Sequence, residues 1–340
     1  MRGVLVRDWT EFEALTLDDD CPTPPLGPRE VRISTRAAGV SFATSLVVAG
    51  KYQRRPPLPF VPGTEVAGVV IETGSECERV SVGERVIAVL DWGGLAEEAV
   101  AKEVNVFVLP DALPFHLAVC FTNSYMTSYA ALTWPHLLRL AAGDVVLIHG
   151  AAGGVGLAAV EISKVLGATV IATVGSEAKR EIVEQHGADH MINYSVSGFR
   201  DRVLELTGGL GANVIYDPVG GAVFAESLRC IAPEGRIMPV GFAGGTIQQI
   251  PANILLVKNI TVCGFNFGYY VGWSPRDVRE VYAPRLHENM GQLFAWHAEG
   301  RLNPRVSHTF PLERFQEAMA VVLSRQSTGR VALVMGDDTQ

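Results

Sequence analysis

Asp144-Val145-Val146-Leu147-Ile148-His149-Gly150-Ala151-Ala152-Gly153-Gly154-Val155-Gly156-Leu157 is the stretch that decides the fold. A short apolar run, Val145–His149, passes through a glycine-rich turn into a segment with helical periodicity. There Val155, Ala158, Ala159, Ile162, Val165 and Leu166 recur on one face, and Gly167 is the stop. A helix entered this way points its first backbone N–H groups and its positive dipole end at the turn, where they favour a phosphate. The glycines would serve the tight turn, the approach of backbone to a pyrophosphate, and close packing of helix on strand. A tight turn alone would use glycines too, so the neighbourhood has to decide.

Downstream, short apolar runs alternate with helical ones. Strands are expected at Thr169–Val174, Met191–Asn193, Val214–Tyr216, Arg236–Val240 and Ile260–Gly264, and helices at Glu177–His186, Phe199–Thr207 and Ala222–Ile231. That alternation predicts an α/β fold with a doubly wound parallel sheet, and places Ala152, Gly153, Gly154, Val155 and Gly156 as the phosphate cradle of a dinucleotide site.

The end of the second strand selects the dinucleotide. An Asp or Glu there binds the ribose 2′-OH and repels a 2′-phosphate. The chain instead reads Val174-Gly175-Ser176, with Lys179 one turn into the next helix and Tyr194 just after the third strand. Gly175, Ser176, Lys179 and Tyr194 together favour NADPH. Ser176 also reads as a plain helix cap and Lys179 as a solvated face. Glu177 argues the other way, one residue further on.

Upstream, strands are expected at Gly3–Val6, Val31–Thr35, Val66–Ile71, Arg85–Val89 and Val104–Leu109, separated by Pro and Gly clusters. That rhythm suggests a compact β barrel or sandwich. A last strand, Val331–Val334, is expected to close back onto this region. The 340 residues correspond to about two domains.

With 48% hydrophobic and 19% charged residues the chain should fold around a buried core. Its net charge of −8, with no Lys/Arg run longer than two, argues against nucleic acid or an anionic membrane as the main partner. Apolar stretches end well short of the ~18 residues of a membrane span, and Met1–Asp8 has no apolar signal core, so a cytoplasmic location is expected. Five scattered cysteines without a CxxC pair offer neither a disulfide framework nor a cysteine-built zinc site. His116 and Cys120, four apart, could share a metal only with further ligands, and none is near; a helix-edge His beside a buried Cys is the simpler reading.

Taken in order, further segments resemble the medium-chain dehydrogenase/reductase superfamily in its zinc-independent, zeta-crystallin-like quinone oxidoreductase branch. These are Ala37–Phe42, Gly50-Lys51-Tyr52, Pro59–Gly68, Gly93–Glu97, the cradle, Gly187–His190, Asp217–Gly221 and Gly329-Arg330-Val331. The resemblance implies a GroES-like catalytic domain (residues 1–122 and 265–340) and a Rossmann NADPH-binding domain (123–264). It also implies a homodimer through the edge strand Ile260–Gly264, although a loop of the same chain could cover that edge instead.

Where the zinc-dependent branch carries Cys, His and Cys, this chain resembles it with Ser41, Thr64 and Asn123, none of which is a zinc ligand at neutral pH. The implied chemistry is hydride transfer from NADPH to a quinone or other α,β-unsaturated carbonyl. Ser41 and Asn123 would line the oxygen site, and Tyr52 would serve as proton donor. By the same resemblance Thr127 would position the nicotinamide, with Val240, Gly241, Phe242, Phe265 and Arg325 also near the cofactor. Asn123 and Thr127 also read as caps of the following helix, and Tyr52 as packing for a proline-rich loop. The branch often has Asn and Asp where this chain has Ser41 and Thr44, so quinone carries over less well than fold and cofactor. Lys51, Arg54 and Arg55 could hold an anionic substrate handle such as CoA phosphate, or simply be a solvated loop. An enoyl-CoA (acrylyl-CoA-type) reductase and a non-catalytic NADPH-binding protein are the alternatives.

Overall fold

The computed structural model describes residues 1–196 and 198–336. The chain divides into two compact units. Met1–Asn123, Gly268–Phe294 and the chain from Pro304 onward form the first, and Ser124–Phe267 with Ala295–Asn303 form the second. The expected division gave all of 265–340 to the first and Asn123 to the second; residues 265–267 and 295–303 instead cluster with the second, and Asn123 with the first.

The first unit opens with a small ladder of β1 (Gly3–Val4) on β2 (Leu17–Asp18). Next come β3 (Glu30–Val40), α1 (Phe42–Val48), β4 (Glu65–Thr73), β5 (Arg85–Val89), β6 (Glu98–Lys102), β7 (Val106–Val108) and α2 (Phe115–Cys120). In β3, Val31, Ile33, Thr35 and Ala37 are buried while Glu30, Arg32, Ser34 and Arg36 are half-exposed, the period of a strand with one covered face. The sequence did not announce β6, whose Glu-Ala-Val-Ala-Lys is weak in strand formers; pairing with β3 makes it a strand. Only Val106–Val108 of the expected strand 104–109 is extended, because Glu103–Asn105 forms a 3-10 turn.

The second unit runs α3 (Met126–Thr133), β8 (Val145–Ile148), α4 (Gly154–Val165), β9 (Thr169–Val174), α5 (Glu177–Gln185), β10 (His190–Asn193), α6 (Phe199–Leu206), β11 (Ala212–Asp217), α7 (Ala222–Cys230), β12 (Ile231–Pro239), α8 (Ala252–Lys258) and β13 (Thr261–Val262). Its sheet is all parallel in the order β10-β9-β8-β11-β12-β13, the doubly wound topology expected. Leu147, Ile171, Ile215, Ile237, Phe224 and Leu228 form its core. β12 begins earlier than expected, since the ladder resumes on both sides of Pro233-Glu234-Gly235, where Glu234 has φ +60°. The edge strand is shorter than 260–264. Only Thr261 and Val262 pair with β12, following the left-handed Asn259 (φ +54°).

The chain ends with α9 (Arg279–Ala298), β14 (Val306–Pro311), α10 (Phe315–Leu323) and β15 (Arg330–Val334). β15 lies antiparallel on β3 and carries β14 on its other side, so the last strand does return to the N-terminal sheet. None of the five cysteines is in a disulfide; Cys21, Cys120, Cys230 and Cys263 are buried and Cys77 is half-buried. Burial pushes the thiols of Cys21, Cys77 and Cys263 up, and that of Cys230 up to about 12. Among the described residues no helix is long and apolar enough to cross a membrane.

Candidate active site

The strand order of the parallel sheet reverses at β8, with β9 on one side and β11 on the other, and ligands of such sheets sit at that switch point. The glycine turn stands there. Gly150 adopts φ +55°, and Gly153 is the residue before α4, with no side chain capping the helix. The first N–H groups of α4 are therefore left for a ligand. A Cβ on Gly156 would run into Gly150 O and stand 2.8 Å from Ala151 Cα, so only glycine lets α4 close on the turn. Ala152 is buried, whereas Gly153, Gly154 and Val155 are partly open.

Beneath the turn lies a buried polar floor that sequence reasoning missed. His149 Nε2 is 2.8 Å from Ser227 Oγ, and Nδ1 is 3.0 Å from Thr173 Oγ1. Ser227 spends its own proton on Val223 O (2.7 Å), so Nε2–H donates to Ser227 and Thr173 donates to Nδ1. Burial drives the His149 pKa down to about 4, and the ring is neutral at pH 7. Nothing in the local sequence pairs His149 with a serine 78 residues away.

On the far side of the switch point Asp217 Oδ1 accepts the N–H groups of Val219 (2.7 Å) and Gly220 (3.0 Å). Val240 N–H donates to Asp217 O at 2.8 Å, Gly241 backs onto Pro218, and the Phe242 ring covers Gly220. The segment 240–242 therefore lies beside the cradle's neighbouring loop. Phe265 stands edge-on to Trp134, centroids 6.1 Å apart.

At the end of β9, Ser176 is the residue before α5 and its hydroxyl makes no capping bond, so the plain cap reading is not realised. Lys179 is half-buried rather than solvated. The Tyr194 hydroxyl stands over Gly175, where a Cβ would meet it at 2.9 Å. Glu177 is occupied: Asn193 Nδ2 donates to it at 3.0 Å and Arg180 lies 3.5 Å away.

In the first unit Ser41 Oγ is 3.1 Å from Thr44 Oγ1. Tyr52 packs edge-on to Trp273, centroids 5.7 Å apart, and burial raises its phenol pKa. The suggested basic handle is largely spent. Lys51 pairs with Glu11 (3.0 Å), and Arg54 pairs with Asp91 (2.7 Å) and lies over Trp92 and Trp273. Arg325 occupies a left-handed position (φ +58°) in the turn after α10.

Asn123 and Thr127 are not helix caps. α2 runs through a π-helical turn, Phe121–Tyr125, directly into α3, so both lie inside one continuous helical run. Single π turns inside α-helices recur at functional sites. Thr127 is buried, and from Ala118 to Ser128 only Asn123 is not.

A mainly antiparallel β unit, parallel only where β14 meets β15, and a parallel dinucleotide-type unit in one chain define the class. Residues 27–111 match the family model described as alcohol dehydrogenase GroES-like domain, and 154–287 the one described as zinc-binding dehydrogenase. Quinone oxidoreductase-like protein 2 homolog of Nematostella vectensis is 41% identical over 322 residues, 94% of this chain and 85% of that protein. The Escherichia coli quinone oxidoreductase complexed with NADPH superposes with TM-score 0.89 at 27% identity, covering 98% of this chain and 100% of that one. A 2-haloacrylate reductase superposes with TM-score 0.83 at 30% identity, covering 99% and 100%. The chain belongs to the medium-chain dehydrogenase/reductase superfamily, in its quinone oxidoreductase branch, and is an oxidoreductase.

The name of one matched model implies zinc. Ser41, Thr64 and Asn123 offer two hydroxyls and an amide where thiolate, imidazole or carboxylate is needed, and Ser41 is bonded to Thr44. Among the described residues no group of three His, Cys, Asp or Glu is placed to hold a metal. These residues do not fit a catalytic zinc.

Proposed function

We propose that this protein is an NADPH-dependent reductase that passes hydride to a quinone or other α,β-unsaturated carbonyl without a metal. The observation that carries the reading is the glycine cradle at the sheet's switch point, followed by a β9 end with no carboxylate aimed at the ribose site. The cradle residues fit a pyrophosphate on the α4 N-terminus, and Ser176, Lys179 and Tyr194 fit a 2′-phosphate. Bound there, NADPH supplies the hydride from its nicotinamide C4. Thr127 orients the nicotinamide, Ser41 and Asn123 donate hydrogen bonds to the substrate oxygen as negative charge gathers, and Tyr52 returns a proton.

The E. coli neighbour in complex with NADPH and the 2-haloacrylate reductase support cofactor and substrate class respectively. The pairing of Lys51 and Arg54 weighs against a CoA-phosphate handle. The two units serve as GroES-like catalytic and Rossmann cofactor domains, and two copies join through the edge strand β13 beside the exposed Leu256 and Val257 of α8.

The test mixes the protein with NADPH or NADH and 1,4-benzoquinone, 2-cyclohexen-1-one, 2-chloroacrylate or acrylyl-CoA, following loss of nicotinamide absorbance. Turnover of quinone or enone with NADPH preferred is the expected result. Preference for acrylyl-CoA would move the assignment to an enoyl-CoA reductase. Tight NADPH binding with no turnover would leave a binding protein.

A further inference from the structure

The π-helical turn is tied at both ends to buried carboxylates. Thr122 Oγ1 donates to Glu65 Oε2 at 2.8 Å, and Tyr125 Oη donates to Glu161 Oε2 at 2.5 Å. Each carboxylate is itself fixed. Glu65 pairs with the buried Arg330, while Glu161 accepts from the Asn303 backbone N–H (3.2 and 3.1 Å) and lies 2.5 Å from His186 Nδ1. Between the two donors stands Asn123, whose side-chain amide makes no hydrogen bond among the described residues, in a run where every other residue from Ala118 to Ser128 is buried. The Ser124 hydroxyl, also buried, has no partner among the described residues, so only Thr122 and Tyr125 anchor the turn through side-chain oxygens.

A π turn is an α-helix with one residue too many, and it persists only where its surroundings hold it. Here the holding groups are hydrogen bonds to carboxylates, which belong to the strong class. Relaxation to regular α-helix would rotate position 123 by about 100° relative to α3, one residue's turn of the helix. We propose that the Thr122–Glu65 and Tyr125–Glu161 pairs are positioning devices that maintain the π turn and thereby aim the Asn123 amide. The inference rests on the reading above that Asn123 donates to the substrate oxygen.

The test uses Thr122→Val, Tyr125→Phe, their double variant, and Thr122→Ser as the rescue that keeps the donor, each also in an Asn123→Ala background. Steady-state kinetics with NADPH and 2-cyclohexen-1-one or 1,4-benzoquinone give kcat and KM, and nicotinamide fluorescence gives the NADPH Kd. Each donor loss should lower kcat about tenfold and leave the NADPH Kd within about twofold, with Thr122→Ser near wild type. In the Asn123→Ala background the same changes should cost less than about twofold, because the group they aim is gone. Equal losses in both backgrounds, or full turnover of the double variant, would overturn the proposal. A wild-type protein inert on every acceptor would sink the functional reading instead. Hydrogen exchange of amides 121–127 then still reads the device: faster exchange in the double variant supports it, and unchanged protection refutes it.

Discussion

His149, the first residue after β8, and Thr173, on the adjacent parallel strand β9, are joined at 3.0 Å beneath the glycine turn, and the ring is held neutral by its burial. Its folded pKa of about 4 lies below the usual value of 6.5, so in between the unfolded chain binds a proton that the folded chain refuses. Stability contributed by the neutral ring is therefore complete above about 6.5 and falls as pH drops toward 4, by at most roughly 1.4 kcal/mol per pH unit. Urea unfolding of wild type and His149→Asn from pH 7 to pH 4.5 checks this. The variant should be less stable at pH 7 but lose less on acidification; parallel curves would remove His149 as the source.

Coenzyme choice should turn on Ser176. With Glu177 engaged by Asn193 and Arg180, no carboxylate competes for the ribose site in the wild type. Ser176→Asp supplies one, and should shift the NADPH/NADH ratio of kcat/KM toward NADH by about a hundredfold. An unchanged ratio in a variant of wild-type Tm would show that the phosphate is read elsewhere.

Tyr52→Phe keeps the edge-on packing against Trp273 while deleting the acidic proton. General acid catalysis is typically worth 10²–10⁴, so kcat on an enone should fall about a hundredfold with the NADPH Kd unchanged. Because burial raises the phenol pKa, the wild-type rate should show no loss from tyrosine ionisation up to pH 9. Retention of full kcat would make Tyr52 a packing residue.

Leu256 and Val257, 78% and 76% exposed on α8, flank the edge strand β13. In the proposed dimer they become covered. Light scattering should give a dimer for the wild type and a monomer for Leu256→Asp, with Tm lowered in the variant. A monomeric wild type would leave this edge bare and end the pairing proposal.

What could be read from the sequence was local. The cradle from Gly150 to Gly156 announces itself because Gly153 and Gly156 answer a steric demand set by Gly150 and Ala151, within seven residues. The acid-free end of β9 is legible for the same reason. The π turn was not: its anchors, Glu65 and Glu161, lie 57 and 36 residues from the donors they hold, and no periodicity reports them. Position 123 thus looked like a cap when it is the open point of a through-running helix. The basic cluster at 51–55 could be read as a handle or a solvated loop for a related reason, since the partners of Lys51 and Arg54, Glu11 and Asp91, come from distant segments. β14 was overlooked because Val-Ser-His-Thr-Phe-Pro carries little strand signal, and β15 supplies the pairing that extends it.

The cysteines acquire a meaning beside the proposed substrates. Quinones and enones are Michael acceptors, and what they alkylate in proteins is thiolate. In this chain four of the five sulfurs are covered, and those whose acidity is perturbed by burial hold their proton more tightly. Such a catalyst would be spared suicide by its own reagents.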